Sequence, residues 1–219
     1  MTKLSKRVLE MEESVTLAAG ARAKELTAQG RDILALTLWE PDFVTPEHIQ
    51  NKAIAAIRDG KASFYTVASG LPELKAAVKT YFERYYGYEI GPKEVVAGSG
   101  AKYILFAFFM AVLNPGDEVL IPQPSYVSYL PCTIMADGVP VIIPLQYENE
   151  FKLTVEDLKK AVTPKTKVLV MPFPNNPTGS IMTKEDLEPI AEVVKRHDLY
   201  VLSDEIYSEL TYKTEHVSI

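Results

Sequence analysis

The chain is short of the groups that cross-link a small protein or let it hold a metal. It has one cysteine, Cys132, in 219 residues. No internal disulfide can form, and a reducing, cytoplasmic setting is expected. Its three histidines, His48, His197 and His216, are scattered, which implies no metal site. Positive charge is in the minority, with 23 basic against 29 acidic residues and a formal net charge of −6. That balance argues against nucleic acid or an anionic membrane as a partner. Long hydrophobic runs are missing too: the most apolar stretch, Ile104 to Leu113, is far shorter than the ~20 residues of a membrane span. The N-terminus reads as a charged helix, not a basic patch with an apolar core, so no targeting segment is expected. There is no repeat, low-complexity tract or Gly/Ser linker. What is present is a chain with 47% hydrophobic residues, enough for one α/β domain with a sizeable core.

The periodicity gives the elements. Leu4 to Ala28 is rich in Ala, Leu, Glu and Lys and reads as one helix stopped by Gly30. Leu34 to Leu38 reads as a short extended stretch before Trp39-Glu40-Pro41-Asp42. Thr45 and Pro46 open a helix with an apolar stripe of Ile49, Ala53, Ile54 and Ile57. Pro72 opens another, with Leu74, Val78, Tyr81 and Phe82 on one face. Val95 to Ala97 reads as a strand running into a helix that is apolar nearly all round and so expected to be buried. Glu118 to Pro122, Val139 to Leu145, Val168 to Phe173 and Tyr200 to Leu202 read as further strands. Helices lie between them, including one opened by Gln123-Pro124-Ser125-Tyr126 and two capped by Thr154 and Thr183. Such alternation requires parallel pairing and a sheet buried on both faces.

Three stretches carry candidate chemistry. The first is the loop Pro174-Asn175-Asn176-Pro177-Thr178-Gly179, followed one βα unit later by Ser203-Asp204-Glu205-Ile206-Tyr207. Both sit just past strand ends, the edge where open α/β sheets bind ligands. The second is Gly98-Ser99-Gly100-Ala101-Lys102 at a helix start. Bare backbone N–H groups there suit an anion, and small residues there also suit close helix packing. The third is Tyr126 at a strand end, placed either to stack on a planar ring or to join the core with Tyr129.

The pair Asn-Asn-Pro-Thr-Gly and Ser-Asp-Glu-Ile-Tyr resembles the class I (fold-type I) aminotransferases that use pyridoxal 5′-phosphate (PLP), closest to the bacterial aspartate-type enzymes. The resemblance implies a three-layer α/β sandwich with a mostly parallel sheet, preceded by an N-terminal helical segment. It places residues 1–45 in an arm tied to the small domain and dimer contact. Residues 46–219 form the PLP-binding large domain. It also implies that Gly100, Ala101 and Lys102 cradle the cofactor phosphate, Tyr126 stacks on the ring, and Asp204 faces the ring nitrogen. Asn176 and Tyr207 then bond to the ring's phenolate oxygen, and Tyr65 reaches the phosphate of the other subunit of a homodimer. Tyr65 packed on its own domain is the plain alternative. Trp39 stands where the family has a glycine, so that motif's substrate role is not carried over.

Members of this family run to nearly twice this length, and the chain reads as their N-terminal portion. By the same resemblance, the lysine that forms the Schiff base and shuttles the proton is expected roughly thirty residues after the Asp-x-x-Tyr motif. Lys213 is the only lysine after Tyr207, and its context does not match, so no catalytic lysine is assigned. The implied activity of the parent is amino-group transfer from aspartate or a similar amino acid to a 2-oxo acid. Two alternatives stand beside it: a PLP-dependent β-elimination lyase, and a non-catalytic truncated product or binding subunit.

Overall fold

Four parallel strands in the order β2-β1-β3-β4 form the centre of this computed structural model. They are β1 (Glu118–Gln123), β2 (Val139–Pro144), β3 (Thr166–Met171) and β4 (Tyr200–Ser203). The structure describes residues 3–9, 11, 15–35, 43–212 and 214–219. Leu36 to Leu38, the Trp39-Glu40-Pro41-Asp42 motif, the Glu12-Glu13 pair and Lys213 lie outside the described residues. Because β2 and β3 flank β1 on opposite sides, the chain reverses direction across the sheet at β1. Such a switch point opens a crevice beyond the strands' carboxyl ends.

Alternate side chains of each strand enter different cores, as the two-residue period of a strand requires. Leu120, Ile143, Leu169 and Met171 pack on one face with Leu158, Leu187, Ile190 and Val193. Val119, Ile121, Val168, Val170 and Leu202 pack on the other with Leu105, Phe109, Tyr129 and Cys132. The helices behind these residues are α5 (Ala101–Val112) and α6 (Tyr129–Met135) on one side, α7 (Val155–Ala161) and α8 (Lys184–Arg196) on the other. The result is the expected three-layer α/β arrangement with a parallel sheet.

The expected caps are present on two helices. Thr154 Oγ1 accepts the Asp157 N–H at the start of α7. At α8, Thr183 and Asp186 exchange side-chain-to-backbone bonds in a reciprocal capping box. The Asn114-Pro115-Gly116-Asp117 turn is closed by the Asp117 N–H on the Asn114 carbonyl at 3.0 Å.

The chain divides into two compact units, residues 1–11 with 98–219, and residues 12–97. The second contains α2 (Val15–Ala28), α3 (Glu47–Arg58) and α4 (Pro72–Tyr86). Pro72 opens α4 as expected, and Gly87 closes it at φ +63°.

Several expectations change. The single N-terminal helix is two, α1 (Lys6–Leu9) and α2, with Met11 in neither. The chain passes from one unit to the other at that point, and α1 is held beside α6 by Arg7 on Asp137 at 3.6 Å. Thr45 does not cap α3: Pro46 is its N-cap and makes no side-chain cap bond. Ile49, Ile54 and Ile57 are exposed, so the stripe of α3 has no covering element among the described residues of its unit. Residues 95–97 form no strand. Val95 is buried and Val96 exposed, as a strand would alternate, yet no described strand pairs with them. The helix expected at Tyr126 begins at Tyr129, after the Ser128 N-cap. On α5, Leu105 and Phe109 are buried while Tyr103, Ile104 and Met110 are exposed. Only its sheet-facing stripe meets the core.

Candidate functional site

Three loops at the carboxyl edge of the sheet carry the candidate residues. Pro172, Phe173 and Pro174 follow β3, and the loop after them is built on Asn175. That side chain is 3% exposed. Its Oδ1 accepts the Thr178 N–H at 3.1 Å and the Thr178 hydroxyl at 2.9 Å, closing the loop from its own side chain. The loop is closed by the Asn175 N–H on the Ser180 carbonyl at 2.8 Å and the Gly179 N–H on the Asn175 carbonyl at 2.9 Å. Asn175 Nδ2 donates to the Pro124 carbonyl at 3.2 Å, which ties this loop to the one after β1. Every polar group of Asn175 is thus engaged locally, and its neighbour Asn176 is the one displayed.

Asp204 follows β4 directly. Its N–H donates to the Met171 carbonyl at 3.0 Å, just past the β3–β4 ladder. Its carboxylate accepts the Tyr129 hydroxyl on Oδ2 at 2.7 Å and the longer Ile206 N–H on Oδ1 at 3.3 Å. Asn176 Nδ2 donates to the Tyr207 hydroxyl at 3.3 Å. This contact joins the adjacent β3 and β4 loops. After β1, the Tyr126 ring meets the Tyr129 ring edge-on at 5.6 Å. The Lys102 ammonium sits 5.8 Å from the centre of the Tyr126 ring.

The start of α5 completes this edge. Gly100 is its N-cap at φ +84°, with no side-chain cap bond. A positive φ of this size favours glycine. The Gly100 N–H is already donated to the Gly98 carbonyl at 3.0 Å. The N–H groups of Ala101 and Lys102 precede the first i→i−4 bond of the helix, so they are the ones a bound anion would meet.

Lys102, Tyr126, Tyr129 and Asp204 thus form one chain of contacts, and Asn176 with Tyr207 a second pair on the β3 and β4 loops. Tyr65 joins neither: it lies in the other unit, with its side chain fully exposed.

Sequence reasoning missed Tyr129 as a contact of Asp204 and Asn175 as the residue that builds the β3 loop. Tyr129 was weighed only as a core residue; its signal was the second tyrosine of Tyr126-Val127-Ser128-Tyr129. Asn175 was read as part of a turn, without the distinction between the residue that builds the loop and the residue that the loop presents. Burial and the Asp204 carboxylate push the Tyr129 hydroxyl far above its ordinary range, so it remains a protonated donor.

The family profile for aminotransferase class I and II matches residues 31–219. An asparagine–oxo-acid transaminase of Streptococcus mutans is 59% identical over 212 residues, 97% of this chain and 54% of that protein. An aspartate aminotransferase of Geobacillus stearothermophilus is 45% identical, over 99% of this chain and 55% of its own length. The solved structure of Thermus thermophilus aspartate aminotransferase with maleate superposes with a TM-score of 0.96 at 44% identity. That match covers all of this chain and 57% of the other. This chain belongs to the aminotransferase class I and II family.

It spans about half the length of the curated relatives it matches. PLP dependence is a general property of this aminotransferase family. The residues here fit that group by their chemistry. A carboxylate suits a cationic ring nitrogen, an amide and a phenol suit a ring oxygen, and a helix start with free N–H groups suits a phosphate. Among the described residues, no helix is long and apolar enough to cross a membrane.

Proposed function

We propose that the whole protein is a PLP-dependent aminotransferase, passing an amino group from aspartate or asparagine to a 2-oxo acid. One observation carries this reading: Asp204, Asn176 and Tyr207 stand side by side on the β3 and β4 loops. The identities of the relatives support a four-carbon acidic amino acid or its amide as donor.

Bound PLP supplies the electron sink of the reaction. The chain's task is to hold it and set its charge. Asp204 keeps a proton on the ring nitrogen, because a neighbouring negative charge favours the cation. Asn176 and Tyr207 donate hydrogen bonds to the ring oxygen, and Tyr126 covers a ring face. The N–H groups of Ala101 and Lys102, with the start of α5 behind them, bind the phosphate; Gly100 sets the turn.

Tyr65 is assigned to the phosphate of the second subunit in a homodimer, a reading its full exposure supports. Residues 1–45 are assigned to the arm and dimer contact, and residues 46–219 to the PLP-binding domain. We assign no proton-shuttling lysine within residues 1–219, since Thr211-Tyr212-Lys213-Thr214 does not resemble the expected Ser-x-Ser-Lys context. A cytoplasmic location follows the same reading.

The experiment uses the whole protein. It should show a visible PLP band that borohydride fixes, and it should form the 2-oxo acid of aspartate or asparagine. Asp204→Ala should lower transamination roughly a hundredfold, in line with the 1–3 pKa units that an opposite charge moves its neighbour, a far larger loss than the fall in apo stability from leaving the Tyr129 hydroxyl unpartnered. Absence of the band sinks the enzyme reading. Equal loss of activity and folding places Asp204 in the structure instead of the chemistry. Pyruvate release from a cysteine conjugate without amino transfer would favour the lyase.

A further inference from the structure

We propose that Tyr129 is a positioning residue for Asp204: its buried hydroxyl occupies Oδ2 and leaves Oδ1 as the oxygen available to the cofactor's ring nitrogen. This inference rests on the PLP reading above.

The Tyr129 side chain is 2% exposed and packs in the core with Leu105, Phe109 and Cys132. A phenylalanine would fill the same space, so the packing does not need the oxygen. Yet that oxygen donates at 2.7 Å to a carboxylate 75 residues further along the chain. Buried hydroxyls rarely go unpartnered, and this one has found an ionisable partner at the sheet edge. The hydroxyl stays protonated beside the carboxylate, so it can act only as a donor. A charge-assisted donor at 2.7 Å holds the carboxylate in one orientation.

The scaffold behind Tyr129 is itself fixed. The Tyr126 ring abuts the Tyr129 ring edge-on. The Asp204 N–H is held by Met171. The carboxylate is therefore fixed from the sheet on one side and from α6 on the other. Among the described hydrogen bonds, Oδ1 takes only the longer contact from Ile206.

The test uses the whole protein with Tyr129→Phe, Asp204→Asn, the double variant, and Thr133→Val as a control on α6. Readouts are the PLP dissociation constant, the pH midpoint of the bound cofactor's absorbance, and the melting temperature of the apo protein. Tyr129→Phe should weaken PLP roughly tenfold or more, the scale of a hydrogen bond to a charged group, and should move the pH midpoint. Thr133→Val should lower the melting temperature and leave both cofactor readouts in place. In the Asp204→Asn background, Tyr129→Phe should add little, because it acts through that carboxylate.

An unmoved dissociation constant and pH midpoint in Tyr129→Phe overturn the proposal, as do fully multiplicative effects in the double variant. A wild type that takes up no PLP sinks the cofactor reading and this proposal together. A wild type that binds PLP beside an unaffected Tyr129→Phe sinks this proposal alone. Where the phenyl ring prevents folding, Tyr129→His, which keeps a donor, should bind PLP more tightly than Tyr129→Leu; equal binding by these two also overturns it.

Discussion

Glu205 adjoins the site residue Asp204 but serves the fold. Its carboxylate accepts the Ser203 hydroxyl at 2.7 Å and the Ser218 hydroxyl at 2.6 Å, and it pairs with His216 Nε2 at 2.8 Å. Burial alone would raise its pKa, but the bonds from Ser218, His216 and Ser203 outweigh burial and hold the group below its ordinary 4.5. A depressed carboxylate contributes stability that is present above the unfolded pKa and lost as pH falls through the folded one. Glu205→Gln should therefore be less stable at pH 7 by about 1–3 kcal/mol, the scale for a hydrogen-bonded charge. The gap from wild type should narrow as pH drops below 4.5. Denaturant melts at pH 7 and at pH 3.5–4 (about one unit below an ordinary carboxylate) check this; a gap independent of pH refutes it. In the sequence, Asp204 and Glu205 are two acids after an apolar strand. Their roles separate only in space, since the bonds to His216 and Ser218 close a loop of more than ten residues. The same holds for Asn175 and Asn176, where one amide spends its bonds on Thr178 and Pro124 and the other faces Tyr207.

At the scale of elements, local chemistry marks the starts of α4, α7 and α8 but not those of α3 and α6. Thr183 and Asp186 form their capping box in sequence order, and Asp186 also takes Lys152 at 2.9 Å. Thr183→Ala should lower stability by about 1 kcal/mol, as loss of an N-cap usually does, read as a fall in melting temperature with the cofactor site unchanged. No fall would mean that Lys152 and Asp186 hold the end of α8 without the threonine. Strands were predicted well where a partner exists. The run at residues 95–97 has the right residue types but no described neighbour to pair with, and a strand is defined by pairing. The start of α6 slipped three residues beyond Tyr126 because prolines and turns mark a loop without marking its length.

For the whole molecule, each of the two units exposes large apolar side chains among its described residues. Ile49, Ile54 and Ile57 on α3, Ile104 and Met110 on α5, and Phe64 and Tyr65 between α3 and α4 are exposed. Contiguous exposed apolar surface binds hydrophobic probes. The 219-residue chain by itself should brighten anilinonaphthalene sulfonate well above the level seen with the whole protein at equal concentration. Equal fluorescence would show that these faces are covered within the chain.

The alternation of apolar runs and caps determined the class of fold, because a parallel sheet covered on both faces needs those periods. The two ordered motifs determined the family, because few chemistries call for an amide and a carboxylate on successive strand ends. Tertiary structure alone decided what engages Asn175 and Glu205, the neighbours of the two residues named by the motif. It also decided that a core tyrosine reaches Asp204. Those outcomes depend on hydrogen bonds between residues far apart in the chain, and neither periodicity nor a local motif encodes them.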